Sequence, residues 1–243
     1  IKNKKLLFFI VITEFLKKNF LTYNIDKNKI IVLPDGANIP KKEIKKLNLK
    51  GDYDKELFYV GSLYKGRGID LILKLSKIMP SKRFHIVGGS LKEVAYYKTK
   101  TSGQKNIIFY GHVPFKKTKS FIKSADILLA PYQKIVNIYG GGNTVEWMSP
   151  LKIFEYMSFR KPIIASKLSS LKIILKHKYN SYLVDPDNTN AWKKAINTLE
   201  KDKSLSEKIG KMAFNDLKSK YSWDIRSKMV IKKIKEIKNY EFY

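Results

Sequence analysis

Three stretches carry residue types that could do chemistry. The first, YVGSLYKGRGIDLIL (59–73), sets Gly61, Gly66 and Gly68 around a lone guanidinium, Arg67, just ahead of an apolar helical pattern. Glycines let backbone approach a ligand closely, and arginine presents a fixed fork of donors to a diphosphate. The loop has neither the GxGxxG nor the GxxxxGKS/T spacing of common phosphate-binding loops, so a tight turn with a solvated arginine accounts for the same residues.

The second, WMSPLKIFEYMSFRKPIIAS (147–166), places Ser149 to cap a helix, Pro150 at its first position, and Lys152 and Glu155 three residues apart on a neighbouring face. A surface ion pair would explain both charges, but such a pair contributes only about 0.2–0.5 kcal/mol. A carboxylate near a helix start in a cleft could instead hold two ribose hydroxyls. In the third, FYGHVP and LLAPYQ, the residues Gly111, His112, Pro131 and Tyr132 follow apolar runs and could line a flat slot for a nucleobase. His112 reads equally well as an ordinary loop residue.

Other chemistries lack their residues. His85, His112 and His177 lie far apart and there is no cysteine, so no zinc site is expected. No GxSxG elbow is present, which argues against a serine hydrolase.

Positioning such residues requires a scaffold, and the pattern supplies one. Apolar runs alternate with helical spacing: LFFIVI, EFLKKNFLTYN, KIIVLP, then LFYVG, IDLILKLSKIM, RFHIVGG, NIIFYG, KTKSFIKSA, DILLAPY, LKIFEYMSF, KPIIAS, LSSLKIILK and SYLVDP. Strand and helix repeating through short turns predicts an α/β fold, a Rossmann-like parallel sheet flanked by helices. Ile69, Ile72, Leu73 and Leu75 to Ile78 form one apolar stripe, and Leu151, Phe154, Tyr156 and Met157 another. In an open parallel sheet ligands bind at the carboxyl ends of strands, where all three stretches fall. Between Pro34 and Leu57 the chain turns polar and charged, which predicts a linker at 37–56 between a short strand-helix-strand piece (1–36) and an α/β unit (57–220). Residues 221–243 are expected to form a lysine-rich closing helix.

The 243 residues, 44% hydrophobic, suit an ordered globule. The apolar run Leu6 to Ile12 covers about a third of a membrane span and reads as a buried strand. With no cleavable leader visible and no cysteine, a cytoplasmic location is expected, and the first residue, isoleucine, suggests that the chain begins inside a larger protein. The net charge of +28, from 49 basic and 21 acidic residues, predicts attraction to anions: nucleic acid, acidic lipid or phosphorylated metabolites. Only four of the 49 are arginine, which argues against base reading. A low-GC genome would produce the same lysine, asparagine and isoleucine excess. Peripheral contact with anionic membrane follows from the same charge.

Taken in order, VGSLYKGRGIDLIL, FHIVGG, IIFYGHVP, ADILLAPY, SPLKIFEYMSFRKPIIAS and SYLVDPDN resemble the carboxyl-terminal, donor-binding half of the family 4 glycosyltransferases, which have the GT-B architecture. The resemblance runs from Leu57 to Leu199. It extends more loosely to VITEFLKKNF and KIIVLPDGANI, similar to the end of the amino-terminal domain, and to YSWDIRSKMV, similar to the helix that crosses back to it. It implies a retaining, hexosyltransferase-type enzyme that moves a sugar from a nucleotide diphosphate-sugar to a saccharide or lipid-linked acceptor, as in bacterial surface polysaccharide or glycolipid assembly. By the same resemblance Arg67 and Lys152 neutralise the donor diphosphate and serve catalysis, with helix amides assisting and no metal or other cofactor required. Gly61, Ser62 and Gly68 surround that diphosphate, Gly111, His112 and Val113 lie beside the base, Pro150 and Leu151 lead into the helix, and Glu155 binds the ribose. Ser62 stands where the family often has a second basic residue, and Trp147 where the first glutamate of its E-x7-E motif would be, with Glu146 one place off. A chain with only a fragment of the acceptor domain is expected to bind donor and turn over poorly. The rival readings are a sugar-nucleotide epimerase of the same architecture and a basic nucleic-acid-binding module.

Overall fold

A computed structural model describes residues 6–136 and 142–240. Near the start, β1 (Phe9–Val11) and β2 (Ile30–Val32) pair in parallel across α1 (Glu14–Leu21), whose first turn is capped by Thr13. The main sheet has six parallel strands: β3 (Lys55–Val60), β4 (Lys82–Val87), β5 (Ile107–Gly111), β6 (Ile127–Ala130), β7 (Ile163–Ser166) and β8 (Tyr182–Val184). Their spatial order is β5-β4-β3-β6-β7-β8, so the chain reverses its direction of winding between β3 and β6. That reversal opens a crevice at the carboxyl ends of those two strands.

Both faces of the sheet are covered, which explains why β6 and β7 are buried at every position and apolar save for the terminal Ser166. The covering helices are α2 (Ile69–Ile78), α3 (Leu91–Thr99), α4 (Phe115–Ser124), α5 (Leu151–Met157), α6 (Ser169–Lys172), α7 (Thr189–Lys201) and α8 (Lys203–Asp216). After a π-helical turn (Leu217–Tyr221) comes α9 (Trp223–Tyr240). Alternation along β3 sends Leu57 and Tyr59 into the core shared with Ile72 and Trp192, and Phe58 and Val60 into the core shared with Ile153 and Phe154.

The structure departs from the sequence expectations in three places. Ile78 and Leu151, expected in buried stripes, are 41% and 51% exposed; α5 buries the expected Phe154, Tyr156 and Met157, with Ile153 in place of Leu151. Helix α3 was not anticipated, because lysines and tyrosines leave only Val94 and Tyr97 on its buried side. It is started by a reciprocal cap between Ser90 and Glu93. The segment expected as a linker has no helix and yields its last two residues, Lys55 and Glu56, to β3, and Ile39, Ile44, Leu47 and Leu49 pack on the core. It is held to α4 by the Leu47 amide, which donates to Ser124 Oγ at 2.7 Å. Residues 34–37 also clasp the start of α9: Arg226 Nε donates to the Pro34 carbonyl at 3.1 Å and the Ala37 amide to the Tyr221 carbonyl at 3.2 Å.

Candidate functional site

The crevice is floored by β3, whose last residue is followed by Gly61. Its amide donates to the Val87 carbonyl at 2.8 Å, keeping the exit of β3 tied to β4. Its φ is +151°, and a Cβ placed there would lie 2.5 Å from Lys152 Nζ. Gly68, the residue before α2, has φ +83°, and a Cβ there would lie 1.8 Å from the Pro131 carbonyl oxygen. These two positions therefore need glycine both for backbone conformation and for space. They let the Arg67 loop lie flat against the exit of β6.

Lys152 is the second residue of α5, and its Nζ enters this crowded space 3.7 Å from the ring centre of Tyr59 and 5.2 Å from that of Tyr132. The Arg67 guanidinium carbon lies 5.2 Å from the same Tyr132 ring. Tyr59 is fixed in turn: its hydroxyl donates to the Ser62 carbonyl at 2.5 Å. Among the described residues, the buried side-chain nitrogen and oxygen atoms without a hydrogen-bond partner are Arg67 Nε, Lys152 Nζ and Ser166 Oγ. All three lie at the carboxyl end of the sheet, and native interiors hold few such atoms.

The electrostatics follow from this. Burial, reinforced by the neighbouring Arg67, pushes the Lys152 amine well below the usual lysine range, while Glu155 pulls the other way. A ring face attracts an ammonium by up to about 2 kcal/mol, but stripping an ion of water costs several kcal/mol, so desolvation prevails. Burial likewise raises the Tyr132 phenol to about 12 and the Tyr59 phenol well above its ordinary value.

Glu155, one turn further along α5, is half-buried, and no ion pair joins it to Lys152 among the described residues. The surface ion pair considered for these two is thus not what the fold builds. Burial raises the Glu155 carboxyl, opposed by Lys152 and by Lys119 of α4. The carboxyl lines a largely apolar recess of about 210 Å³ with Phe115, Ile122, Leu151, Phe159 and Trp223. Ser149 does not cap α5 either: it is buried and its Oγ accepts from the Asp35 amide at 3.1 Å, while Pro150 stands at the cap position without a side-chain hydrogen bond.

A second, wider cleft of about 690 Å³ opens beside the glycine loop, lined by Gly61, Ser62, Gly89, Glu93, His112 and Val113 among others. Thr118 of α4 borders both this cleft and the Glu155 recess. The structure thus brings Gly61, Ser62, His112 and Val113 to one cleft, sets Lys152 against Gly61 and Arg67 on the same Tyr132 ring, and places Glu155 and Leu151 in the adjoining recess, whereas Gly68 lines a separate cleft of about 540 Å³ with Ile69 and Gln133. Gly111 ends β5, directly before His112. Pro131 and Tyr132 do not form an open slot, as first expected; both are buried, and Tyr132 lies beneath the two cations. Three participants were missed in sequence. Gly89 and Glu93 were signalled by a strand ending in Gly-Gly followed by Ser-x-x-Glu, whereas nothing local marks Tyr59, an apolar strand residue like its neighbours.

At the expected sugar-contact positions, Glu146 is exposed, and the Trp147 carbonyl accepts a bond from Thr13 Oγ1 at 3.4 Å. The histidines stay apart: His85 is buried, and His177 Nδ1 accepts from the Leu183 amide at 3.1 Å. No group of three or more metal-ligating side chains occurs among the described residues.

Comparison with known proteins gives this arrangement a family. A profile described as glycosyl transferases group 1 matches residues 40–216. An uncharacterised glycosyltransferase of Methanocaldococcus jannaschii is 28% identical over 229 residues, covering 93% of this chain and 58% of its own length. The capsular polysaccharide biosynthesis glycosyltransferase CapM of Staphylococcus aureus is 26% identical over 235 residues, covering 89% of this chain and 58% of CapM. Among solved structures, HepE of Anabaena in complex with UDP and glucose superposes with a TM-score of 0.73 at 14% identity, over 94% of this chain and 63% of HepE. TarM gives a TM-score of 0.67 at 17% identity, over 91% of this chain and 42% of TarM. The structural likenesses establish the fold, and the chain spans little more than half the length of these curated relatives. With a parallel sheet wound in the order of a nucleotide-binding half and a profile match across most of its length, the chain belongs to the glycosyl transferases group 1 family, with GT-B architecture.

Proposed function

We propose that residues 57–220 bind a nucleotide diphosphate-sugar and that the enzyme transfers its sugar, with retention of configuration, to a saccharide or lipid-linked acceptor. The observation that carries this reading is the convergence of Arg67 and Lys152, whose buried Nε and Nζ have no hydrogen-bond partner, at the switch point of the sheet. A donor diphosphate supplies the acceptor oxygens and negative charge those groups lack. As the glycosidic bond breaks, charge grows on the leaving diphosphate, and donors already fixed in a dry site stabilise that charge without reorganising. Arg67 and Lys152 take the role a divalent ion has elsewhere, so no metal is needed. Glu155 accepts the ribose hydroxyls, and the cleft by His112 and Val113 seats the base.

A uridine donor is supported by HepE, solved with UDP and with UDP-glucose, and a role in surface polysaccharide assembly by the resemblance to CapM. No helix among the described residues is long and apolar enough to cross a membrane. The charge of +28 would hold the enzyme against anionic lipid at the cytoplasmic face, where lipid-linked acceptors would be met. Co-sedimentation with anionic vesicles, lost at high salt, checks this contact, and equal binding to neutral vesicles would refute it.

The donor reading is tested by thermal unfolding with UDP or GDP in the absence of divalent ions. A ligand at a hundred times its dissociation constant stabilises by about 2.7 kcal/mol. A shift that appears only after magnesium is added would overturn the metal-free assignment, and no shift under either condition would overturn the site.

A further inference from the structure

We propose that Lys152 is an uncharged amine in the donor-free protein and takes up one proton when a diphosphate enters, so that donor binding is coupled to protonation. This rests on the donor reading above and adds a chemical property to it. An ammonium carries three N–H donors and tolerates burial only when they are satisfied. Lys152 Nζ finds no protein acceptor, and what surrounds it favours the neutral form. Tyr59 from β3 and Tyr132 from the exit of β6 present ring faces, whose attraction for an ammonium is smaller than the cost of stripping it of water. Arg67, from the loop before α2, presents a like charge. The carboxyl of Glu155, on its own helix, is not in ion-pair contact and is itself drawn on by Lys119 of α4. Burial moves the amine in the same direction as the geometry.

A diphosphate reverses the balance, since it brings negative charge and acceptor oxygens to the nitrogen. Arg67 cannot respond in this way because a guanidinium keeps its charge. The two cations therefore have different tasks: Arg67 is a fixed charge that draws the donor in, and Lys152 becomes charged only when the donor is seated. The step balances as amine plus a solvent proton giving ammonium, with no bond of the donor broken. When the diphosphate leaves, the proton returns to solvent.

The test is calorimetry of UDP binding to the full chain at about pH 8, in HEPES and in Tris, whose ionisation heats differ. At that pH the terminal phosphate of UDP has long lost its second proton, and Tyr59 and Tyr132 keep theirs. The expected result is a heat that differs between buffers by uptake of about one proton, with affinity falling up to tenfold per pH unit on the alkaline side. Lys152→Arg, charged at all times, should bind UDP with the same heat in both buffers, and Glu155→Gln should bind more weakly yet keep the uptake. Should Lys152→Arg fail to fold against Gly61, the wild-type buffer comparison and pH profile still decide. UDP binding with buffer-independent heat would overturn the inference and leave the donor site standing. Uptake that survives in Lys152→Arg and vanishes in Glu155→Gln would assign the proton to the carboxylate and overturn it as well. Absence of any UDP binding would remove the donor reading together with it.

Discussion

At the amino end of the six-stranded sheet, Lys82 and Arg83 open β4 and are buried with carboxylates against them. Lys82 Nζ meets Asp54 at 2.8 Å and also Glu200, and Arg83 grips Glu56 with two nitrogens, one at 2.9 Å. Glu56 also takes His85 Nε2 at 2.6 Å, and His85 Nδ1 meets the Tyr110 hydroxyl at 2.9 Å. An ionised carboxylate only accepts, so His85 donates from Nε2 and accepts from Tyr110. At the carboxyl end of the same sheet, Arg67 and Lys152 are half-buried, and the buried Arg67 Nε and Lys152 Nζ have no such partner. The same two residue types are thus satisfied at one end of a strand and left wanting at the other. Satisfaction marks the charges that hold the fold, and its lack marks those kept for a ligand.

The largest effect should come from breaking the satisfied end. Glu56→Gln removes the countercharge of Arg83 and should cost about 3–5 kcal/mol in unfolding free energy, leaving the UDP affinity of the folded fraction unchanged. Denaturant titration and UDP binding, read on one sample, check both halves. A variant of near wild-type stability would show that this network does not carry the fold. Acid should act on the same cluster. Burial holds the His85 imidazole below its ordinary value, so between that lowered value and about 6.5 the unfolded chain binds the extra proton. Stability should therefore fall as pH drops below about 6.5.

Breaking the unsatisfied end should invert the pattern. Arg67→Gln should weaken UDP binding by roughly 1.5–3 kcal/mol, about ten- to 150-fold, with little change in stability. The contrast between the two ends would collapse if Arg67→Gln lost stability as Glu56→Gln does while binding UDP normally.

How much of this was legible in sequence differs between the two ends. Arg67, Lys152 and Glu155 stood out because glycines, proline and charge in an apolar helix break local pattern, and the alternation of strand and helix was enough to read the sheet. Ser149 was misassigned because its partner, the Asp35 amide, lies 114 residues away in sequence. Tyr59 could not be read as the support of Lys152, since β3 and α5 meet only in the folded sheet. Glu56, Arg83 and His85 looked like ordinary alternating polar residues, and their joint burial depends on the pairing of β3 with β4, which sets Glu56 beside Arg83 and Phe58 beside His85.

Glu155 offers the finest test, because it belongs to the unsatisfied end by position but carries the opposite charge. If its carboxylate accepts ribose hydroxyls, Glu155→Gln keeps the shape and exchanges charge-assisted bonds for neutral ones. Nucleotide affinity should then fall by roughly 1–2 kcal/mol, about five- to thirtyfold. Stability should hold or rise near neutral pH. Burial raises the carboxyl above its ordinary 4.5, so the folded chain retains a proton that the unfolded chain loses, and ionisation at higher pH works against the fold. Neutral glutamine escapes that cost. A 2′,3′-dideoxy nucleotide supplies the control from the ligand side: wild type should lose affinity for it, and the Gln variant should discriminate much less between the two nucleotides. Equal discrimination by both proteins would show that Glu155 does not hold the ribose and would return it to the ordinary half-buried residues of α5.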